Sequence, residues 1–404
     1  MPFNETGDGP GARMPALPVS FAELIRVFFR LGWLAFGGPV AQLGMMHDEC
    51  VERRGWIDDA EFVRALNFVH VLPGPEASQM AILIGWRVLG VVGGLIAGFL
   101  FIAPGFITLS ALAAIYVRFG SRPEVLGVLS GFRPVALALL ASAMLRLSKA
   151  ALRSGFQRVL AVLAFGASFF LHVGFVPLLL GCGAVSILRS RLRAPGTAAG
   201  LLALMVSAPA EAAAPALERL RDVSLFFLKV GLVSFGGAYA VLPLLREGAV
   251  LQAAWLTDRQ MVDALALGET TPGPLISIGV FIGYLAGHPV GVGFASSVCA
   301  GFWLFLPSFV FVLAGAPHLD RITAWPGVQP FLQGVTAGVL ALMAAVSLAL
   351  AKATVFHDGH VDWITAILGV VAFVVLVLGG KKVNVAYVVL AGGVLGLVRA
   401  LLGA

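Results

Sequence analysis

Pro73-Gly74-Pro75 is one copy of a repeated pattern, because it returns 199 residues later as Pro272-Gly273-Pro274. Phe36-Gly37-Gly38 returns at the same offset as Phe235-Gly236-Gly237. Further along, matched residues lie 203 apart, which a single four-residue insertion in the second half explains. A hydrophobic chain made of two copies of one unit is typical of secondary transporters, whose binding site lies between the copies.

The composition is that of a membrane protein. The chain of 404 residues is 59% hydrophobic and 12% charged, with a mean hydropathy of +0.96, whereas soluble domains carry about 25% charged residues. Long apolar runs such as 88–117 and 159–188 predict a polytopic helical protein. The net charge of +6 follows basic loops and predicts no nucleic-acid partner. The three cysteines predict no disulfide framework, and residues 1–20 predict no cleavable signal peptide.

Each half contains six apolar segments. The segments that follow the Pro-Gly-Pro motifs, 76–88 and 275–287, hold about 13 residues and are too short to span a bilayer as helix. We therefore predict an all-α polytopic membrane protein of two homologous halves, each with about five spanning helices and one short re-entrant helix. The predicted divisions are a polar tail at 1–21, a repeat at 22–188, a cytoplasmic linker at 189–222 and a second repeat at 223–404.

Loop charges predict that the two halves have opposite orientations. The loop with Arg146, Lys149 and Arg153 has no acid and is predicted to be cytoplasmic. Its second-half counterpart around Lys352 carries acids and is predicted to be external, while Lys381-Lys382 marks the next loop as cytoplasmic. These assignments favour inverted repeats.

The repeated glycine motifs are predicted to carry the site. Each Pro-Gly-Pro is typical of a helix start, where free N–H groups and the positive end of the helix dipole favour an anion. The simpler interpretation is two helix breaks that only shape packing. The Phe-Gly-Gly motifs either unwind the first helix of each half or allow close helix crossing. The residues predicted to bind an anion at these motifs are Gly37, Gly38, Gly74, Ser78, Gln79, Gly236, Gly237, Thr271, Gly273 and Ser277.

Charged residues inside apolar segments are further candidates, because burying an unpaired charge there is costly. Arg30, Arg133 and Lys229 are predicted to bind the anion; Arg30 and Lys229 are repeat partners whose side chains alternatively reach the membrane surface. Glu76 and Glu269 flank the two Pro-Gly-Pro motifs and are predicted to carry a coupling proton. Their alternative roles are a helix-start carboxylate or a structural partner of Arg87 or Arg133.

Motifs for other chemistry are missing from the sequence. It contains no Walker loop, dinucleotide fingerprint or catalytic nucleophile motif, so we predict neither ATP drive nor an enzyme, and no cofactor. The stretch 357–362 contains two His and two Asp residues but lacks a closed ligand set, and no metal is predicted.

The paired motifs also carry a family resemblance. Phe36-Gly37-Gly38-Pro39, the stretch 72–79, Phe235-Gly236-Gly237 and the stretch 269–274 together resemble the long-chain, two-domain members of the chromate ion transporter family. The resemblance covers roughly 22–188 and 222–402. It implies export of the chromate dianion across the bacterial inner membrane, driven by the proton gradient, and chromate resistance.

Alternatives to that function remain open from sequence. Sulfate has the same charge and shape as chromate, and an anion channel of the same architecture would show the same motifs. A membrane-embedded enzyme acting on lipid-linked substrates is disfavoured, since no catalytic pair lies near a membrane boundary. The expected partners are a chromate-like or sulfate-like oxyanion, protons and the lipid bilayer, with a homodimer as an open option.

Overall fold

The computed structural model describes residues 19–192, 215–235, 237–357, 360–379, 383 and 385–402, and these are almost wholly α-helical. The first-half helices are α1 Phe21–Leu34, α2 Gly38–His47, α3 Asp59–Val69, α4 Glu76–Phe119, α5 Pro123–Ala151, α6 Gly155–Leu171 and α7 Phe175–Leu192. The second-half helices are α8 Pro215–Val233, α9 Leu242–Leu245, α10 Asp258–Thr270, α11 Ile278–Gly287, α12 Gly293–Gly315, α13 Leu319–Thr323, α14 Val328–Val355, α15 Trp363–Gly379 and α16 Val385–Leu401. Strands β1 Phe356–His357 and β2 His360–Val361 form a small antiparallel hairpin.

Four of the described helical segments are long and apolar enough to cross a membrane: α4, most of α5, the stretch 293–323 that includes α12, and α14. These helices make the chain an integral membrane protein. The number of crossings and the inverted orientation stay predictions, and Lys381-Lys382, on which part of the orientation depends, lies outside the described residues.

The short helix after each Pro-Gly-Pro is confirmed. In the first half, α4 is interrupted at Leu89 and Gly90, whose backbone angles are not helical, so a short helix from Glu76 leads into a long one. In the second half, α11 follows a 3₁₀ turn and ends at Gly287, before α12 begins. Gly90 has φ +65°, a conformation that favours glycine.

The predicted interruption of the first helix of each half is also confirmed. The α1 helix ends at Leu34 and α2 starts after Gly37, which has φ +88°. The α8 helix ends at Val233 and a 3₁₀ turn starts after Gly237, with φ +92°. Gly236 lies outside the described residues.

Within each half, the interrupted helix packs on the long helix in the same way. A Cβ atom added at Gly32 of α1 would lie 3.1 Å from Pro104 Cγ of α4. The repeat partner of Gly32 is Gly231 of α8, and a Cβ atom there would lie 3.0 Å from Pro307 Cγ of α12. These glycines therefore allow close helix contact, as small residues do in membrane proteins.

The last helices of each half pack on the other half. The α5 helix contacts α15 and α16, and its counterpart α14 contacts α6 and α7. A Cβ atom at Gly131 of α5 would overlap the Gly392 carbonyl, and one at Gly334 of α14 would overlap the Cys182 carbonyl. The two halves are thus interlocked by equivalent contacts.

The ends of the predicted linker are helical. The α8 helix begins at Pro215, inside the stretch 189–222, while residues 193–214 of that stretch lie outside the described residues. Arg219 of α8 donates a 3.0 Å hydrogen bond to the Ala286 carbonyl near the end of α11. This basic residue thus satisfies a helix terminus of the second half.

Candidate functional site at the junction of the two halves

The two Pro-Gly-Pro motifs bind the interrupted helix of the opposite half. The amide of Gly74 donates a 2.8 Å hydrogen bond to the Ser234 carbonyl, just after α8. The amide of Gly273 donates a 3.0 Å hydrogen bond to the Ala35 carbonyl, just after α1. Gly273 is the repeat partner of Gly74, and Ser234 is the repeat partner of Ala35. The same hydrogen bond is therefore made once from each half to the other. We call the set of contacts around Gly74 and Gly273 the junction.

Only glycine fits at the centre of each motif. Gly74 has φ +130° and Gly273 has φ +101°, a region that side chains rarely adopt. A Cβ atom at Gly74 would overlap the side chains of Ser308 and Gln79, and one at Gly273 would lie 3.0 Å from the Gly105 Cα. Ser308 and Gly105 are themselves repeat partners, on α12 and α4. Each motif therefore also touches the long helix of the opposite half.

The junction contains buried polar atoms that have no partner among the described residues. These atoms are the hydroxyls of Ser78, Ser277 and Ser308 and the side-chain oxygen of Gln79. All four side chains are at most 1% exposed. Gln79 also donates a 2.7 Å hydrogen bond to the Pro73 carbonyl, which fixes its position. Because an unpartnered buried polar group is costly, such a cluster indicates a place for a polar ligand.

Two other polar side chains at the junction already have partners. Thr271, predicted to bind the anion, donates a 3.0 Å hydrogen bond to the Gly268 carbonyl at the end of α10. Gln42, which the sequence analysis did not identify, donates hydrogen bonds to the carbonyls of Ala35, at 3.0 Å, and Gly273, at 2.8 Å. Gln42 thus ties the first-half helix break to the second Pro-Gly-Pro.

Both candidate proton carriers lie at the helix break of the second half. Glu76 Oε1 would be 3.8 Å from a Cβ atom at Gly237, and it lies 3.8 Å from His70 Nε2. Glu269 accepts a 2.5 Å hydrogen bond from the Tyr239 hydroxyl. Two carboxyl groups, one from each half, therefore flank the stretch 237–239.

The alternative that Glu76 or Glu269 pairs with Arg87 or Arg133 is wrong. Arg87 forms its ion pair with Glu61 of α3. Arg133 forms a bidentate pair with Asp263 of α10, with its Nε and Nη2 atoms 2.7 and 3.0 Å from the carboxylate oxygens. Both arginines thus have acid partners other than Glu76 and Glu269.

Asp263 is the centre of a buried polar cluster that the sequence analysis did not identify. Its side chain is fully buried, and it also accepts a 2.9 Å hydrogen bond from the Tyr116 hydroxyl. Arg133 and Tyr116 belong to the first half and Asp263 to the second. We call these three residues the buried triad. The Asp263 carboxylate balances the charge of Arg133, so in this structure Arg133 links the two halves through an ion pair.

The remaining predicted cations do not join the buried junction. The side chains of Arg30 on α1 and Lys229 on α8 are both exposed. Gly37, Gly38 and Gly237 form the helix breaks themselves, with positive φ angles. The structure therefore gathers Gly74, Ser78, Gln79, Gly273 and Ser277 at the Pro-Gly-Pro motifs, and it adds Ser308 and Gln42.

The long apolar helices make this an integral membrane protein. Each half also bonds to the interrupted helix of the other half, which is the organisation typical of transporters built from two repeats. A family model described as chromate transporter matches this chain twice, over residues 22–187 and 221–397. The chain belongs to the chromate transporter family.

Some relatives cover more than nine-tenths of the chain and others less than half of it. The chromate transport protein of Pseudomonas aeruginosa is 34% identical over 393 residues, which are 94% of this chain and 92% of that protein. The chromate transport protein of Cupriavidus metallidurans is 31% identical over 381 residues, covering 93% and 92%. The uncharacterized transporter YwrB of Bacillus subtilis is 29% identical over 168 residues, 42% of this chain and 83% of that protein. No solved structure matches the chain.

Proposed function

We propose that this protein is a secondary active transporter that exports chromate across the bacterial inner membrane, is coupled to the proton gradient and confers chromate resistance. The observation that carries the proposal is the cluster of buried, unpartnered hydroxyl groups at the junction, made by Ser78, Ser277 and Ser308. Membership of the chromate transporter family supports the substrate class.

The junction has the chemistry that an oxyanion needs. A tetrahedral dianion loses strong hydration on entering the membrane, and several donors must replace that water. The three hydroxyls can donate to oxyanion oxygens, and the α4 helix starts beside them at Glu76 with its positive dipole end. Since Arg133 is held by Asp263, neutral donors and helix starts are the main binding groups in this proposal. Exposed Arg30 and Lys229 then attract the anion from outside the junction.

Glu76 and Glu269 are the proposed proton carriers. They belong to different halves but flank the same helix break, so a proton on either would change the charge next to the junction. The Tyr239 hydroxyl, bonded to Glu269, and His70, beside Glu76, are polar neighbours through which protons can pass. Inverted halves that rock around the junction would then expose it to each side of the membrane in turn.

The test is uptake of radiolabelled chromate into inside-out membrane vesicles with an imposed pH gradient. We expect accumulation above equilibrium that a protonophore abolishes, and no accumulation in vesicles without the protein. Uptake that only equilibrates would favour an anion channel. A parallel arm with excess unlabelled sulfate ranks the two oxyanions: strong inhibition of chromate uptake, together with accumulation of labelled sulfate, would favour sulfate as the substrate.

A further inference from the structure

A cavity of about 280 Å³ lies between the two halves, away from the junction. It is lined by α3, by the end of the short helix that starts at Glu76, and by α13 with the 3₁₀ turn before it. Its lining includes Arg64 and Ala65 of α3, Ile84 of α4, and Asp320 of α13. Ile84 lies eight residues after Glu76, which is about 12 Å along the helix. The α4 helix thus contributes residues both to the junction and to the lining of the cavity.

Two residues of the buried triad, Asp263 and Tyr116, are repeat partners of residues that line the cavity. Arg64 corresponds to Asp263, at the offset of 199, and Leu319 beside Asp320 corresponds to Tyr116, at the offset of 203. Around Asp263 and Tyr116, the space that corresponds to the cavity is filled by side chains. The Tyr116 ring packs edge-on against Phe281 with centroids 5.2 Å apart, while Arg133 is bonded to Asp263. The place around Arg64 is therefore an open cavity, whereas the equivalent place around Asp263 is closed.

Arg64 and Asp320 are opposite charges from opposite halves, and both are exposed. Neither side chain has a hydrogen bond or ion pair within the described part of the chain. The other charges that line the cavity, Glu61 and Arg87, are paired with each other. The cavity therefore holds one unpaired cation, Arg64, which can contact an anion, and one unpaired carboxylate, Asp320, so its charged lining carries no net charge.

We infer that this cavity is the access site for the oxyanion in the present conformation, and that pairing of Arg64 with Asp320 closes it during transport. The inference rests on the proposed function. The buried triad is the closed counterpart, in which an acid of one half is held by an arginine and a tyrosine of the other. In the opposite conformation the cavity closes and the triad opens, as alternation between equivalent sites requires.

Charge reversal tests the pairing. Arg64→Asp and Asp320→Arg each place like charges opposite one another, and we expect each to lower the initial rate of chromate uptake at least tenfold. The double variant restores opposite charges, and we expect it to recover most of the rate. Immunoblots of the vesicles confirm equal amounts of protein. Single variants with the wild-type rate, or a double variant no faster than the singles, would overturn the inference.

A labelling experiment, which does not depend on transport, compares the accessibility of the cavity with that of its buried counterpart. Ala65 lines the cavity with 5% of its surface exposed, and its repeat partner Ala264, on α10, is 0% exposed. Cysteine is introduced at either position after Cys50, Cys182 and Cys299 are replaced by serine. In purified protein, a small charged thiol reagent is expected to modify Ala65→Cys at least tenfold faster than Ala264→Cys.

A failure of the access-site inference can be distinguished from a failure of the proposed function. Equal labelling of the two cysteines would overturn the access assignment, whatever the transport result. Wild-type vesicles that take up no chromate would instead refute the proposed function, because the charge variants are compared only with that rate.

Discussion

The Gly74 amide and the Ser234 carbonyl are joined by a 2.8 Å hydrogen bond between the two halves of the protein. The same bond is made with the halves exchanged, from Gly273 to Ala35 at 3.0 Å. Each half therefore supplies a Pro-Gly-Pro helix start to the other and receives one in return. A movement of one half relative to the other must act on both bonds, and this is the place where we propose that the oxyanion binds.

Replacing the central glycine of a Pro-Gly-Pro motif is expected to abolish transport. Alanine at Gly74 or Gly273 must adopt a positive φ, at a cost of about 1–3 kcal/mol, and its Cβ atom meets the opposite half. We expect at least a tenfold loss in the initial rate of chromate uptake at equal protein level. Gly44→Ala is the control, because Gly44 is helical and a Cβ atom there meets nothing within 4 Å. Wild-type rates for Gly74→Ala would show that the junction tolerates a side chain.

Breaking the buried triad is expected to destabilise the protein. Arg133→Leu or Asp263→Leu leaves one charge buried alone, which costs about 3–5 kcal/mol. The double variant removes both charges and should lose less stability than either single variant. The measurement is the midpoint of thermal unfolding in detergent, with Arg53→Leu as a control because the Arg53 side chain is 64% exposed. Additive losses in the double variant would contradict the pairing.

The ion pair between Asp362 and Arg399 is expected to make stability depend on pH. Burial alone would raise the pKa of Asp362, but hydrogen bonds from Arg399 and Thr365 lower it to about 2. A lowered carboxyl pKa stabilises the folded state by about 2 kcal/mol above pH 4, and this is lost as pH falls towards 2.

The test compares the wild type with Asp362→Asn. The wild type should unfold at a higher temperature at pH 7, and the difference should shrink between about pH 4 and pH 2. Asp222→Asn, which changes an exposed carboxylate on α8, is the control. A difference between wild type and Asp362→Asn that is constant with pH would contradict the assignment.

Neutralising the carboxyl groups at the second-half break is expected to uncouple transport. With Glu269→Gln or Glu76→Gln, chromate should still equilibrate across the vesicle membrane but should no longer accumulate under a pH gradient. Glu218→Gln, at an exposed position on α8, should behave as wild type. Full accumulation by both junction variants would remove these residues from the coupling mechanism.

The helix breaks and the short helices were predictable because they depend on nearby residues, and the repeat was predictable because the same motifs recur. Glycine and proline at Phe36-Gly37-Gly38 and Pro73-Gly74-Pro75 restrict the backbone wherever they occur, and their recurrence shows two like units. The exchange between Gly74 and Ser234 was not predictable, because it depends on how the two units pack.

The same limit explains the residues that were missed. Ser308 has Gly105 as its repeat partner and Asp263 has Arg64, so neither appears as a repeated motif. Their roles follow from helices of the opposite half that lie beside them. Conversely, Arg30 and Lys229 are matched in the repeat but exposed, because a shared helix position does not determine what packs against it.

Equilibrium binding of radiolabelled chromate to the purified protein tests whether the junction binds the oxyanion. One lost hydrogen bond to a charged ligand is worth about 1.5–3 kcal/mol, so Ser308→Ala should raise the Kd about tenfold or more. Ser296→Ala, a change at a buried and unpartnered hydroxyl that lies against Gly287 of α11, should leave the Kd unchanged. An unchanged Kd for Ser308→Ala, Ser78→Ala and Ser277→Ala alike would show that the oxyanion does not bind at the junction.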